Sequence, residues 1–115
     1  MIDADVLRRV QATLVERKGA PAGSSYVASL YEKGTDAICK KVAEEGAETL
    51  MAAKDGDAQR IIAETADLWF HCLVMLAQHH LRPEQVLAEL QRRAGTSGIE
   101  EKAARKADAR ERTEP

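Results

Sequence analysis

Five acidic residues in the middle of the chain recur at helical spacing: Glu44, Glu45 and Glu48, then Glu64 and Asp67. At about 100° per residue, Ile38, Val42, Thr49 and Ala52 form one side of a helix. Glu45 projects within that apolar stripe, Glu48 lies about 60° round from it beside Lys41, and Glu44 stands one step nearer solvent. On the following helix Glu64, Asp67 and His71 share a face flanked by Leu68, Val74 and Met75. Spacing of i, i+3 sets two carboxylates on adjacent turns of one face. Glu48 stands eight residues before Gly56 and Glu64 eight after it, while Glu45 and Asp67 stand eleven away on either side. In an antiparallel hairpin turning at Gly56, Glu48 and Glu64 therefore lie at the same height, ~12 Å along their helices. The register predicts one cluster of Glu45, Glu48, Glu64 and Asp67.

Carboxylates converging in a half-dry groove repel one another, and a divalent cation removes that conflict. An all-oxygen ligand set selects a hard ion, Mg²⁺ with Mn²⁺ as substitute, over zinc or copper. Mg²⁺ takes a few carboxylates, keeps waters and shares phosphate oxygens, so the pattern points to phosphoryl chemistry with an activated water. Two other readings of the same acids stand beside this one. They could form solvated salt bridges with Lys40, Lys41, Lys54 and Arg60. They could also build a di-iron bundle, although that site needs a Glu-x-x-His pair on each of two helices. His71 follows Asp67 by four, and the other histidines are His79 and His80, near no acidic pair. His71 reads as a core or supporting histidine.

The elements that must position these acids are helical, since no run of β-branched residues alternates with polar ones. A first helix is expected from Asp5 to Arg17 on Val6, Leu7, Val10 and Leu14, with Gly19, Pro21 and Gly23 breaking it. Ser24 to Gly34 reads as an apolar linker carrying Tyr26, Val27, Leu30 and Tyr31. Helices follow over Thr35–Lys54, Ala58–His80 and Pro83–Arg93, the first two separated by an Asp-Gly-Asp turn that suits a left-handed cap and a new N-cap. The expected class is all-α, an antiparallel helical bundle. Leu68 to Ala77 is apolar nearly all round, which predicts burial on several sides and a homodimer to supply the cover. Residues 1–95 are expected to form the domain and 96–115 a charged tail, helical or partly mobile.

Composition excludes several classes. With 44% hydrophobic and 31% charged residues the chain is globular and soluble. Aromatics at 3% and a net charge of −2 supply neither a base-stacking platform nor attraction to a polyanion, so no nucleic-acid partner is expected. Met1 to Arg9 holds no apolar signal core and no apolar stretch approaches the ~20 residues of a membrane span. Cys39 and Cys72 read as small hydrophobes of a reducing compartment, and the protein is expected in the cytoplasm without membrane association.

Four segments together carry a family resemblance. The run Ser25, Tyr26, Val27, Ala28, Ser29, Leu30 resembles a Ser-Tyr-Thr-x-x-Leu motif. Lys40, Lys41, Val42, Glu44, Glu45 and Glu48 are similar to Lys-Lys-x-x-Glu-Glu-x-x-Glu. Glu64, Ala66, Asp67, Leu68 and His71 resemble Glu-x-Ala-Asp-Leu-x-Tyr-His. Ser97, Gly98, Glu101, Lys102 and Arg105 match Ser-Gly-x-x-Glu-Lys-x-x-Arg. These are motifs of the phosphoribosyl-ATP pyrophosphohydrolases of histidine biosynthesis, within the MazG-type all-α superfamily. Val27 stands where threonine is usual and Phe70 where tyrosine is common; neither belongs to the acidic cluster.

The resemblance implies hydrolysis of 1-(5-phosphoribosyl)-ATP to 1-(5-phosphoribosyl)-AMP and pyrophosphate. No cyclohydrolase segment lies in these 115 residues, so only this step is expected. The implied metal ligands are Glu45, Glu48, Glu64 and Asp67. Glu44, Glu45 and Glu48 are the implied catalytic set, with Glu44 a further ligand or the base that orients water. Ser25, Tyr26, Lys40, Lys41, Lys102 and Arg105 are the implied substrate contacts. A hydrolase of ordinary or damaged dNTPs, and a non-enzymatic helical dimerisation module, are the competing functions.

Overall fold

The computed structural model describes residues 2–94 and 98–113, and every regular element among them is helical. In chain order these are α1 (Val6–Glu16), a 3₁₀ turn (Ala22–Ser24), α2 (Tyr26–Lys33), α3 (Thr35–Asp55), α4 (Ala58–Gln78), α5 (Pro83–Arg93) and α6 (Gly98–Thr113). The chain divides at Pro83 and Glu84 into two compact units.

The first unit is organised by the α3–α4 hairpin, on which α1 packs against α4 and α2 against α3. Gly56 makes the hairpin possible. It sits in the left-handed region at φ 71°, where a side chain is strained, and its N–H reaches the carbonyls of Ala52 and Ala53, both at 3.1 Å. Asp57 then caps α4, its Oδ1 accepting from the Arg60 N–H at 3.2 Å. The core joins Leu14, Val27, Leu30, Ile38, Val74 and Ala77, with Val10, Tyr31, Phe70, Leu73 and Met75 packed around it.

The segment read as a linker is largely a helix. Ser25 caps α2, its Oγ accepting from the Ala28 N–H at 3.0 Å, and Val27, Ala28 and Leu30 are buried. Eight residues are too few for a periodic signal and too few to hold a helix in isolation. The cap and burial against α3 stabilise it.

The apolar middle of α4 is not covered on all sides within the chain. His71, Val74 and Ala77 are buried, whereas Ile62 and Trp69 remain 71% and 60% exposed. Leu50 and Met51 on α3 are exposed as well. By length and composition alone α4 could cross a membrane. It carries Glu64 and Asp67 and packs on α3.

Helix α5 starts on Pro83, a residue whose missing N–H costs nothing at a first helical position. Val86, Leu87 and Leu90 make its apolar stripe, and all three stay exposed. Glu89 closes its last turn by accepting from Arg92 and Arg93. The tail forms α6, with its described side chains exposed. Ser97 and the side chain of Glu101, two positions of the tail motif, lie outside the described residues.

Candidate functional site

The hairpin brings three of the four expected ligands together. Glu45, Glu48 and Glu64 each place a carboxylate oxygen within 4.8 Å of the other two. Glu45 is buried at 7% exposure, because it stands in the apolar stripe of Ile38 and Ala52 that faces α4. Glu48 is exposed and Glu64 half-buried. Thr49 fixes the helix spacing at this height: its hydroxyl lies 2.7 Å from the Glu45 carbonyl and 3.1 Å from the Glu64 carbonyl, a bridge between α3 and α4. Thr49 sits at i+4 from Glu45, so its back-bond was readable in the sequence, but the contact across to α4 was not. Asp67 lies one turn beyond Glu64 with its side chain exposed, outside the group of three.

Two buried oxygens in the cluster, Glu45 Oε2 and Glu64 Oε2, have no hydrogen-bond partner. Buried polar atoms are nearly always paired, and a buried carboxylate oxygen facing another carboxylate is doubly unfavourable. A hard cation would offset such charge, and the all-carboxylate donor set fits Mg²⁺ or Mn²⁺.

Lysines flank the acids on one side. The Lys41 Nζ lies 3.4 Å from Glu44 and 3.6 Å from Glu45, and Lys40 Nζ 3.9 Å from Glu44. Partial desolvation works against the Lys41 ammonium, but Tyr26, Glu44 and Glu45 together outweigh it and hold the group above the ordinary lysine range. Arg60 pairs instead with Asp55 at 2.8 Å. The salt-bridge reading thus accounts for Glu44 and part of Glu45. Among the described residues Glu48 and Glu64 have no ion pair within 4.0 Å.

A second feature adjoins the acids. Tyr26, the first residue of α2, sets its hydroxyl 2.8 Å from His71 Nε2, and His71 Nδ1 lies 2.7 Å from the backbone carbonyl of Asp67. His71 is 6% exposed and wedged edge-on between the rings of Tyr26 and Phe70. Tyr26 also lines a cleft of about 350 Å³ with Val10, Thr13, Leu14, Arg17, Ser25, Val27 and Phe70. Ser25 spends its oxygen on the α2 cap and keeps its own proton to donate. The Tyr26–His71 link joins residues 45 positions apart, and no periodicity announces it. Lys102 and Arg105 stand on α6, both exposed.

The sequence model of the family described as phosphoribosyl-ATP pyrophosphohydrolase matches residues 7–94. A phosphoribosyl-ATP pyrophosphatase of Azoarcus sp. (strain BH72) is 63% identical over 106 residues, 92% of this chain and 99% of the relative. One from Aromatoleum aromaticum is 63% identical over 91% of this chain and 97% of its own length. A third, from Chromobacterium violaceum, is 59% identical over 91% and 97% respectively. Identity of that order across almost the whole length of both proteins shows that the chain belongs to the phosphoribosyl-ATP pyrophosphohydrolase family and is an enzyme.

Proposed function

We propose that this chain hydrolyses 1-(5-phosphoribosyl)-ATP to 1-(5-phosphoribosyl)-AMP and pyrophosphate, the second step of histidine biosynthesis, with Mg²⁺ held by Glu45, Glu48, Glu64 and Asp67. The observation that carries the metal assignment is the convergence of three carboxylates with two buried, unpartnered oxygens. Asp67, one turn along from Glu64, is the fourth ligand that the resemblance implies. Mn²⁺ substitutes, having the same preference for oxygen.

Bound Mg²⁺ supplies a hard Lewis acid that neutralises phosphate charge and lowers the pKa of a coordinated water. The remaining work falls to the chain. Glu44, tethered by Lys40 and Lys41 at the rim, takes the proton of the attacking water. The water oxygen bonds to the α-phosphorus as the bond from that phosphorus to the bridging oxygen breaks, and the electron pair leaves on that oxygen with pyrophosphate. Lys40 and Lys41 meet the phosphates as point charges, and Ser25 donates its hydroxyl proton to the substrate. The assignment of Lys102 and Arg105 to the ribose phosphate rests on the resemblance of their motif.

A second copy of the chain covering Ile62, Trp69, Leu50 and Met51 would make the enzyme a homodimer. Free Cys39 and Cys72 accord with a cytoplasmic setting.

Pyrophosphate release from phosphoribosyl-ATP, compared with dCTP and dUTP, tests the substrate. Preference for the deoxynucleotides would refute it. Glu48→Gln should abolish Mg²⁺-dependent release while leaving far-UV helicity intact, and full activity in that variant would refute the ligand assignment.

A further inference from the structure

We infer that His71 is a positioning residue that turns the Tyr26 hydroxyl into a hydrogen-bond acceptor for a sugar hydroxyl of the substrate. The inference rests on the phosphoribosyl-ATP reading. It follows from the polarity of two hydrogen bonds. A backbone carbonyl can only accept, so the 2.7 Å contact with the Asp67 carbonyl requires the proton on His71 Nδ1. In the neutral ring Nε2 is then bare and must accept, so the 2.8 Å contact from Tyr26 consumes the phenolic proton. The imidazole has little room to choose another arrangement, being 6% exposed and held edge-on by the rings of Tyr26 and Phe70.

Tyr26 is therefore left with lone pairs alone on its open side. It lines the apolar cleft, and through His71 it is tied to the Asp67 carbonyl on the helix that carries Glu64. A phosphate oxygen, itself only an acceptor, finds no partner there, whereas a ribose hydroxyl does. This places a sugar hydroxyl at Tyr26. It divides the labour of the Ser25–Tyr26 pair: serine donates, tyrosine accepts.

The experiment uses the full chain with Mg²⁺. KM for phosphoribosyl-ATP is measured with inhibition by each product, since phosphoribosyl-AMP carries the sugars and pyrophosphate does not. Tyr26→Phe should raise KM and weaken phosphoribosyl-AMP inhibition by roughly three- to tenfold, the scale of one lost hydrogen bond, while pyrophosphate inhibition stays as it was. His71→Leu should reproduce that split, and His71→Gln, which keeps an acceptor, should restore it in part. The Tyr26→Phe, His71→Leu double variant should lose no more than either single. Equal weakening toward both products, or additive losses, would overturn the inference. Long-range ¹H–¹⁵N spectra of the His71 ring should show a protonated Nδ1 and a bare Nε2. The opposite tautomer sinks the inference whatever the turnover, so its failure is separable from failure of the activity. Should His71→Leu not fold, the Tyr26→Phe product split and the ring spectrum decide.

Discussion

Replacing Glu64 by glutamine gives opposite signs for a metal site and for a structural acidic cluster. Glu64 has no ion pair among the described residues, and its Oε2 is buried without a partner, so the substitution removes charge and no known contact. Its nearest oxygen lies within 4.8 Å of one from Glu45. Two unit charges at that separation repel by about 3 kcal/mol at an effective dielectric near 20. Discounting for the half-exposure of Glu64 leaves about 1–2 kcal/mol. Without divalent ions Glu64→Gln should therefore melt higher than the parent, by about 4–10 °C on the scale of a domain of this size. Magnesium should then reverse the order. At a hundredfold excess over its dissociation constant a ligand stabilises by about 2.7 kcal/mol, and the parent chain gains this while the variant gains little. Differential scanning fluorimetry with EDTA, then with a MgCl₂ series, reads both effects, and pyrophosphate release on the same samples reports activity. A variant that melts lower than the parent in EDTA, or that gains as much from Mg²⁺, would refute the argument.

Other expectations follow from single features. Gly56→Ala forces a side chain into the left-handed region at φ 71° without a steric clash, so it should cost about 1–2 kcal/mol and lower the melting temperature without altering Mg²⁺ response. Trp69→Glu on the exposed apolar face of α4 should shift the chain from dimer to monomer by light scattering with its helicity retained; an unchanged mass would argue against that face as the contact. Glu89 is pulled down to about 2 by hydrogen bonds from Arg92 and Arg93. A depressed carboxylate stabilises above its unfolded pKa and loses that contribution as pH falls through the folded value. Helicity assigned to α5 should thus persist at pH 5 and decline between about pH 4.5 and 2, less steeply in Glu89→Gln or at high salt.

The hairpin that carries the acids was legible because three local signals agree. Apolar period, the left-handed glycine at position 56 and the Asp57 cap all specify two antiparallel helices turning at one place. That agreement also predicted the equal heights of Glu48 and Glu64, which the structure brings together with Glu45. The α2 helix was not legible, since eight residues give barely two turns of pattern, and its cap at Ser25 looked like part of a loop. The apolar middle of α4 signals that cover is needed beyond one chain, and Trp69 and Ile62 remain exposed on it.

Residue type and spacing were enough to place carboxylates on facing sides of two helices, because helical geometry maps sequence distance onto direction and height. Spacing set Glu45 in the apolar stripe but could not separate Asp67 from the other three. Packing of the two helices leaves two of the cluster's oxygens without partners and Asp67 in solvent. Nor could spacing pair Tyr26 with His71, since hydrogen-bond polarity between residues 45 apart depends on where the folded chain sets each donor and acceptor.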